Sequence, residues 1–214
     1  MTVTQPIARA FMLARSRYPE LHKTWNGISA RVGGLLPNSL LFPSIQKTGD
    51  LDMMLRAKED DFSAAPEGAG DEDLFSDHYQ LMFSELWVGA VYEIFRLLKE
   101  RKLVPDRGAF KTLADDLTLL RIPLEKHEIA TEWELSKPLL MQRNPPNNDK
   151  TDIYQYSKSD PQRAYNMPSG FSSRGSAMWH VFDVKSGISY CLERRALSER
   201  IVALWGSVAP AQNS

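Results

Sequence analysis

Between Leu74 and Glu134 apolar side chains recur at intervals of three and four residues through two long segments, and this pattern restricts the fold more than any other feature. In the first segment Phe75, Tyr79, Met82, Leu86, Ala90, Ile94 and Leu97 form one stripe, which Phe83, Trp87, Val91 and Leu98 widen. Such a stripe at helical period buries one face of a helix. Its breadth predicts a central core helix, with Leu81 to Leu98 the most buried stretch and Leu86 inside it. Lys99, Arg101 and Lys102 suit the negative end of the helix dipole, and Pro105 with Asp106 closes this helix and opens the next. Phe110, Leu113, Leu117 and Leu120 line the second helix. Pro123 then removes a backbone donor and disfavours helical geometry at Ile122, which predicts a kink or junction beside Arg121. A weaker stripe of Leu124, Ile129 and Trp133 continues to about Leu135.

The flanking sequence is less regular. Gln5 to Arg17 reads as a helix, and a second is predicted from Pro19, favoured in a first turn, to Val32, where Gly33-Gly34 stops it. Leu35 to Ile45 holds Pro37 and Pro43 and reads as loop; Leu51 to Ala57 reads as a short helix. Glu59 to Asp73 is acidic and poor in large apolar residues, which predicts a mobile, dispensable loop. Past Pro138 the chain is rich in proline, asparagine, serine and glycine, without sustained period through residues 143–175. Met178 to Val184 and Ile188 to Leu192 flank Lys185-Ser186-Gly187 as a β-hairpin would. Alternation puts Trp179 and Phe182 on opposite faces, so packing on both sides is expected. A last helix is predicted from Arg194 to about Trp205, with Arg194-Arg195 a solvated pair at its start. The expected fold is mainly α: a bundle of about five helices over residues 1–137, a long polar loop over 138–176, and a hairpin plus terminal helix over 177–214.

Composition narrows the function classes. Cys191 is the single cysteine, so no intramolecular disulfide forms, and no secretory leader or membrane-spanning run is apparent. A cytoplasmic protein that does not enter a membrane is the expectation. Charge runs basic, acidic, basic: eight basic and three acidic residues over 1–58, nine and eighteen over 59–137, nine and six over 138–214. The acidic centre counts against a nucleic-acid binder, while the basic flanks leave room for one. His127-Glu128 begins a zinc motif that Thr131 breaks, and His180 with Cys191 is two ligands short of a zinc site. No glycine-rich phosphate loop occurs. Neither metal nor cofactor is expected. Tyr154, Tyr156, Tyr165 and Phe171, interleaved with Lys158, Arg163 and Arg174, either stack on nucleic-acid bases or anchor their own loop.

Arg121 and His127 enclose five residues on the helix that follows the core helix. This placement resembles the Arg-x(4–6)-His signature of the HEPN (higher eukaryotes and prokaryotes nucleotide-binding) helical superfamily, over roughly residues 72–136. The resemblance implies a metal-independent endoribonuclease of toxin or defence type, often dimeric, with Arg121 holding phosphate and His127 moving a proton. Ile122 stands where that family commonly has a polar residue. Arg17 with His22, and Arg174 with His180, satisfy the same loose spacing. The alternative is a non-catalytic helical interaction subunit that binds a protein partner through the loop and hairpin. In it Arg121 pairs with a carboxylate such as Glu125, and His127 caps or packs.

Overall fold

The computed structural model describes residues 4–64, 74–143 and 152–206, with the backbone alone at 74–76, 143 and 152. Helices α1 (Thr4–Arg17), α2 (Pro19–Gly34), α3 (Leu41–Ala64), α4 (Leu74–Glu100) and α5 (Gly108–Lys126) come first. Strands β1 (Leu139–Arg143), β2 (Asp152–Tyr156), β3 (Ser169–Phe171), β4 (Ala177–Asp183) and β5 (Ile188–Glu193) follow, then helix α6 (Arg194–Gly206). The architecture is mainly helical with two small antiparallel sheets, β1-β2 and β3-β4-β5. One core joins them. Trp25, Leu55, Trp87, Leu98, Leu117, Tyr156, Trp179 and Ile201 belong to a single buried cluster that draws on helices and both sheets. Phe95 stacks on Phe110 at 4.9 Å between centroids, with Trp205 edge-on to both.

The largest departure from expectation is α3. Residues 35–40 form turns as expected, but the end of the proposed loop, the short helix and the first part of the acidic loop are one helix of 24 residues. Pro43 does not prevent it, because it sits in the first turn, where the missing N–H would have no intrahelical partner. Ser39 Oγ accepts from Leu41 N–H at 3.1 Å and helps to start the helix. Gly49 marks the crossing with α2, since a Cβ there would lie 2.5 Å from Trp25 Cγ. The residues that the sequence assigned to a mobile segment anchor the structure instead. Glu59 is fully buried, Asp60 pairs with Arg195 at 2.6 Å and receives a hydrogen bond from Tyr18, and Arg17 reaches Asp61 at 2.6 Å. The rest of that proposed loop, residues 65–73, lies outside the described residues.

In α4 the buried face is Ser84, Trp87, Val88, Val91, Phe95 and Leu98. Leu86 is 58% exposed, so its expected place in the core is corrected, and Tyr79 and Met82 are exposed with it. The helix is apolar on more than one side, and the period alone chose the wrong stripe. It ends in a left-handed Lys102 (φ 53°), after which Leu103 N–H bonds Leu98 O at 2.9 Å. That six-to-one closure satisfies a terminal carbonyl. Helix α5 runs through Pro123 to Lys126 and stops at left-handed His127 (φ 56°), whose N–H bonds Pro123 O. The expected junction beside Arg121 is therefore a helix that continues past it.

The long polar loop over 138–176 is replaced by β1, β2, β3 and fixed turns among the described residues. Pairing Leu140 with Gln155 and Gln142 with Ile153 leaves Leu140 and Ile153 on the outer face, while Tyr156 packs into the core. Arg163 clamps the segment by bonding Glu132 at 2.6 Å and Glu128 at 2.9 Å. Tyr156 O–H also bonds Glu132 and accepts from Ile129 N–H. Burial, reinforced by Glu132, pushes the Tyr156 hydroxyl up to about 12. The aromatics thus anchor the loop to the domain. In β4, Ala177, Trp179 and Val181 are buried while His180 is exposed, so the hairpin buries mainly one face.

The predicted solvated pair at the start of α6 is corrected at both positions: the Arg195 side chain is 18% exposed and pairs with Asp60. Arg194 is 0% exposed: it reaches Asp52 Oδ1 at 2.6 Å and Glu59 Oε1 at 2.7 Å, with its guanidinium 5.4 Å from the Trp87 ring centroid. Asp52 also accepts from Trp25 Nε1–H (3.0 Å) and Arg56 Nε–H (3.1 Å). Burial alone would raise the Asp52 carboxyl, but Arg194 and Arg56 outweigh it and hold it below its ordinary range. This internal ion network fixes α3 against α6.

Candidate functional site

Helices α4 and α5 pack against each other and leave an open groove between them. It holds about 460 Å³. From α4, Met82, Glu85, Leu86, Val88, Gly89, Ala90 and Glu93 line it; from α5 come Arg121, Leu124 and Glu125. Apart from buried Val88, the α4 positions recur at i, i+3, i+4, i+7, i+8 and i+11, which is one helical face. Gly89 contributes no side chain and leaves the middle of the groove open, while Met82 and Leu86 leave apolar surface in solvent. Glu85 differs from its neighbours, because its side chain makes no hydrogen bond or ion pair among the described residues. Partial burial raises its carboxyl above the ordinary range, a shift that nearby His78 only partly offsets.

Arg121 is in this groove with its charge already engaged. Its Nη2 lies 2.6 Å from Glu125 Oε2 and 3.9 Å from Glu93 Oε1, and its guanidinium is 5.3 Å from the Tyr92 ring centroid. Nε is buried without a partner. His127 does not line the groove. It is exposed at the end of α5, where its backbone carbonyl accepts from Tyr165 N–H at 2.7 Å and its left-handed conformation ends the helix. Six positions along a regular helix turn a side chain through about 240°, and α5 is unbroken as far as Lys126. Arg121 thus lines the groove, while His127 lies beyond the end of α5 and outside that lining.

The other arginine–histidine pairs are no closer to a phosphate site. Arg17 is held by Asp61, and Arg174 by Glu193 (2.6 Å) and Glu199 (3.0 Å). His180 lies beside Cys191 on the exposed face of the hairpin, with Sγ 3.3 Å from Nδ1. No group of three or more His, Cys, Asp and Glu is placed to hold a metal ion among the described residues. Also among the described residues, no helix is long and apolar enough to cross a membrane.

Sequence reasoning identified Arg121 but not the groove around it. The available signal was the repetition of Glu85, Gly89 and Glu93 every four residues along an apolar helix, which puts carboxylates and a gap on one side. Comparison with known proteins finds no matching family model, no similar curated protein and no similar solved structure.

Proposed function

We propose that this chain is a non-catalytic interaction module whose α4–α5 groove accepts an amphipathic helix carrying arginine or lysine. One observation carries the reading: an apolar groove rimmed by Glu85, Glu93 and Glu125, in which the single cation among the lining residues, Arg121, is already paired with Glu125. Helix-in-groove recognition uses side chains at i, i+3, i+4 and i+7, the spacing that the α4 wall presents. Opposite charges at the rim steer the encounter and fix orientation. The concave groove and its unpaired Glu85 favour this face over the loop and hairpin as the contact surface.

The ribonuclease reading requires a phosphate to compete with Glu125 for Arg121 and to enter a surface lined by three carboxylates. It also requires His127 to reach that phosphate from outside the groove, from the same chain or from a second one.

The test uses a labelled synthetic helix of leucines and lysines at heptad spacing, titrated in fluorescence anisotropy. Binding should be lost in Leu86→Glu and retained in Leu140→Glu, which places the same charge on the outer face of β1. Equal binding by all three proteins would place the contact elsewhere. Cleavage of RNA by the purified protein in chelator, abolished by Arg121→Ala and His127→Ala but not by His22→Ala or His180→Ala, would replace this proposal with the ribonuclease.

A further inference from the structure

Helix α1 has the chemistry that the groove lacks. Among residues 4–17 there are no acidic side chains, and Arg9, Arg15 and Arg17 are basic. Arg15 is bound to Asp50 and Arg17 to Asp61, but the Arg9 side chain makes no hydrogen bond or ion pair among the described residues. The helix is held to α3 through Ala14, which packs with Met53 and Ala57. On the opposite face, Arg9, Met12 and Leu13 stand at i, i+3 and i+4. Met12 is 67% exposed and Leu13 52% exposed. Ile7, one turn before Phe11, is also open to solvent at 53%. Helix α1 buries only Ala14 and presents large apolar residues outward beside an unpaired guanidinium.

Resting on the helix-binding role given above, we infer that the occupant of the α4–α5 groove is α1 of a second copy of this chain, with Arg9 meeting Glu85 and with Met12 and Leu13 lying over Leu86 and Gly89. Each side supplies what the other is missing: an unpaired cation against an unpaired, partly desolvated carboxylate, and exposed aliphatic side chains against an apolar wall. Pairing gives the Glu85 charge a counter-ion, so the desolvation that raises its carboxyl no longer opposes ionisation. Because one protomer carries both surfaces, the contact recurs in every copy. Two-fold exchange closes it into a dimer, whereas head-to-tail repetition would extend it.

Sedimentation velocity on the whole chain tests this. Wild-type protein should self-associate at about 10–100 µM, the range of a modest interface. Arg9→Glu and Glu85→Arg should each weaken association by about tenfold or more, as expected for one reversed contact charge. Mixing the two variants should restore it, because the two substituted side chains, of opposite charge, then face each other in one contact and the native pair forms in the other. A double variant carrying both changes should also associate. Restoration on mixing is the decisive result, since loss of folding in either variant cannot produce it. A wild-type chain that stays monomeric at about 100 µM overturns the inference. Association that ignores both changes, or that responds to Glu85→Arg alone, does so too, and so does α1-dependent binding to anionic phosphatidylserine vesicles without self-association. Failure here leaves the helix-binding role standing if the leucine–lysine peptide still binds and Leu86→Glu still blocks it; loss of both results removes that role as well.

Discussion

Replacing Arg194 by Met should be among the most destabilising single changes available in this chain. Methionine keeps most of the length and the contact with Trp87 but removes the charge that faces two buried carboxylates. Glu59 would lose bonds of 2.9, 2.7 and 2.9 Å, keeping only Arg195 at 3.5 Å, and Asp52 would lose its 2.6 Å partner. Asp52 retains Arg56 and Trp25, so the bared charge is chiefly that of Glu59. Breaking one side of a buried pair costs about 3–5 kcal/mol, because the remaining ion stays desolvated. With a urea m-value of about 2 kcal/mol/M, the midpoint should fall by about 1.5–2.5 M. Adding Glu59→Gln to Arg194→Met should recover at least about 1 kcal/mol, since the uncompensated charge rather than the lost contact dominates the cost. Arg200→Met breaks a 2.7 Å pair with Asp116 at a site where Arg200 is 41% exposed, and should cost under about 1 kcal/mol. Equal midpoints for Arg194→Met and wild type would refute the clamp between α3 and α6. So would a double variant less stable than the single one.

Other perturbations probe the remaining packing and charge. Leu98→Ala, at a fully buried position, should cost about 2–5 kcal/mol, whereas Leu86→Ala, at 58% exposure, should move the denaturation midpoint little; the reverse order would mean that α4 is rotated. Gly49→Ala places a Cβ 2.5 Å from Trp25 Cγ and should cost about 1–3 kcal/mol in the same assay; a neutral result would show that α2 and α3 can separate without penalty. Asp52 is held below its ordinary 3.8 in the folded chain, so its contribution is present above that value and is lost as pH falls through the depressed one. Acid titration of stability should accordingly steepen below about pH 4, and less so in Arg194→Met; identical slopes would contradict the assigned partner. Limited proteolysis should spare residues 59–64, where cutting before global unfolding would restore the mobile-segment reading.

Much of the helical scaffold was legible because its periods are strong. The α5 stripe of Phe110, Leu113, Leu117 and Leu120 reaches the core as expected, and the turn Lys185-Ser186-Gly187 joins β4 to β5, with Gly187 at φ 69°. Helix α3 was hidden for the opposite reason. Its inward positions include Asp52, Arg56 and Glu59, so a hydrophobic pattern cannot reveal a face that is buried through ion pairs contributed by α6, 135 or more residues away. Helix α4 failed differently: with apolar residues on several faces, the period fixes the element but not its rotation. Strands β1, β2 and β3 are five, five and three residues long, too short for alternation to stand out from a polar segment. Arg121 was recognisable as a chemically interesting arginine, but its partners Glu93 and Glu125 come from two helices. Only the packing of α4 on α5 turns these residues into an acidic apolar groove.

If the α4–α5 groove is the working surface of this protein, its methyl groups should report binding. Methyl-resolved NMR of the whole chain reads this, with a peptide of residues 4–17 titrated into protein labelled at methionine and leucine methyls. Saturable shifts are expected at Met82, Leu86 and Leu124, absent when the peptide carries Arg9→Glu, with Leu140 unmoved. Shifts centred on Leu140 and Met141, or no saturable shift at any groove methyl, would rule the groove out.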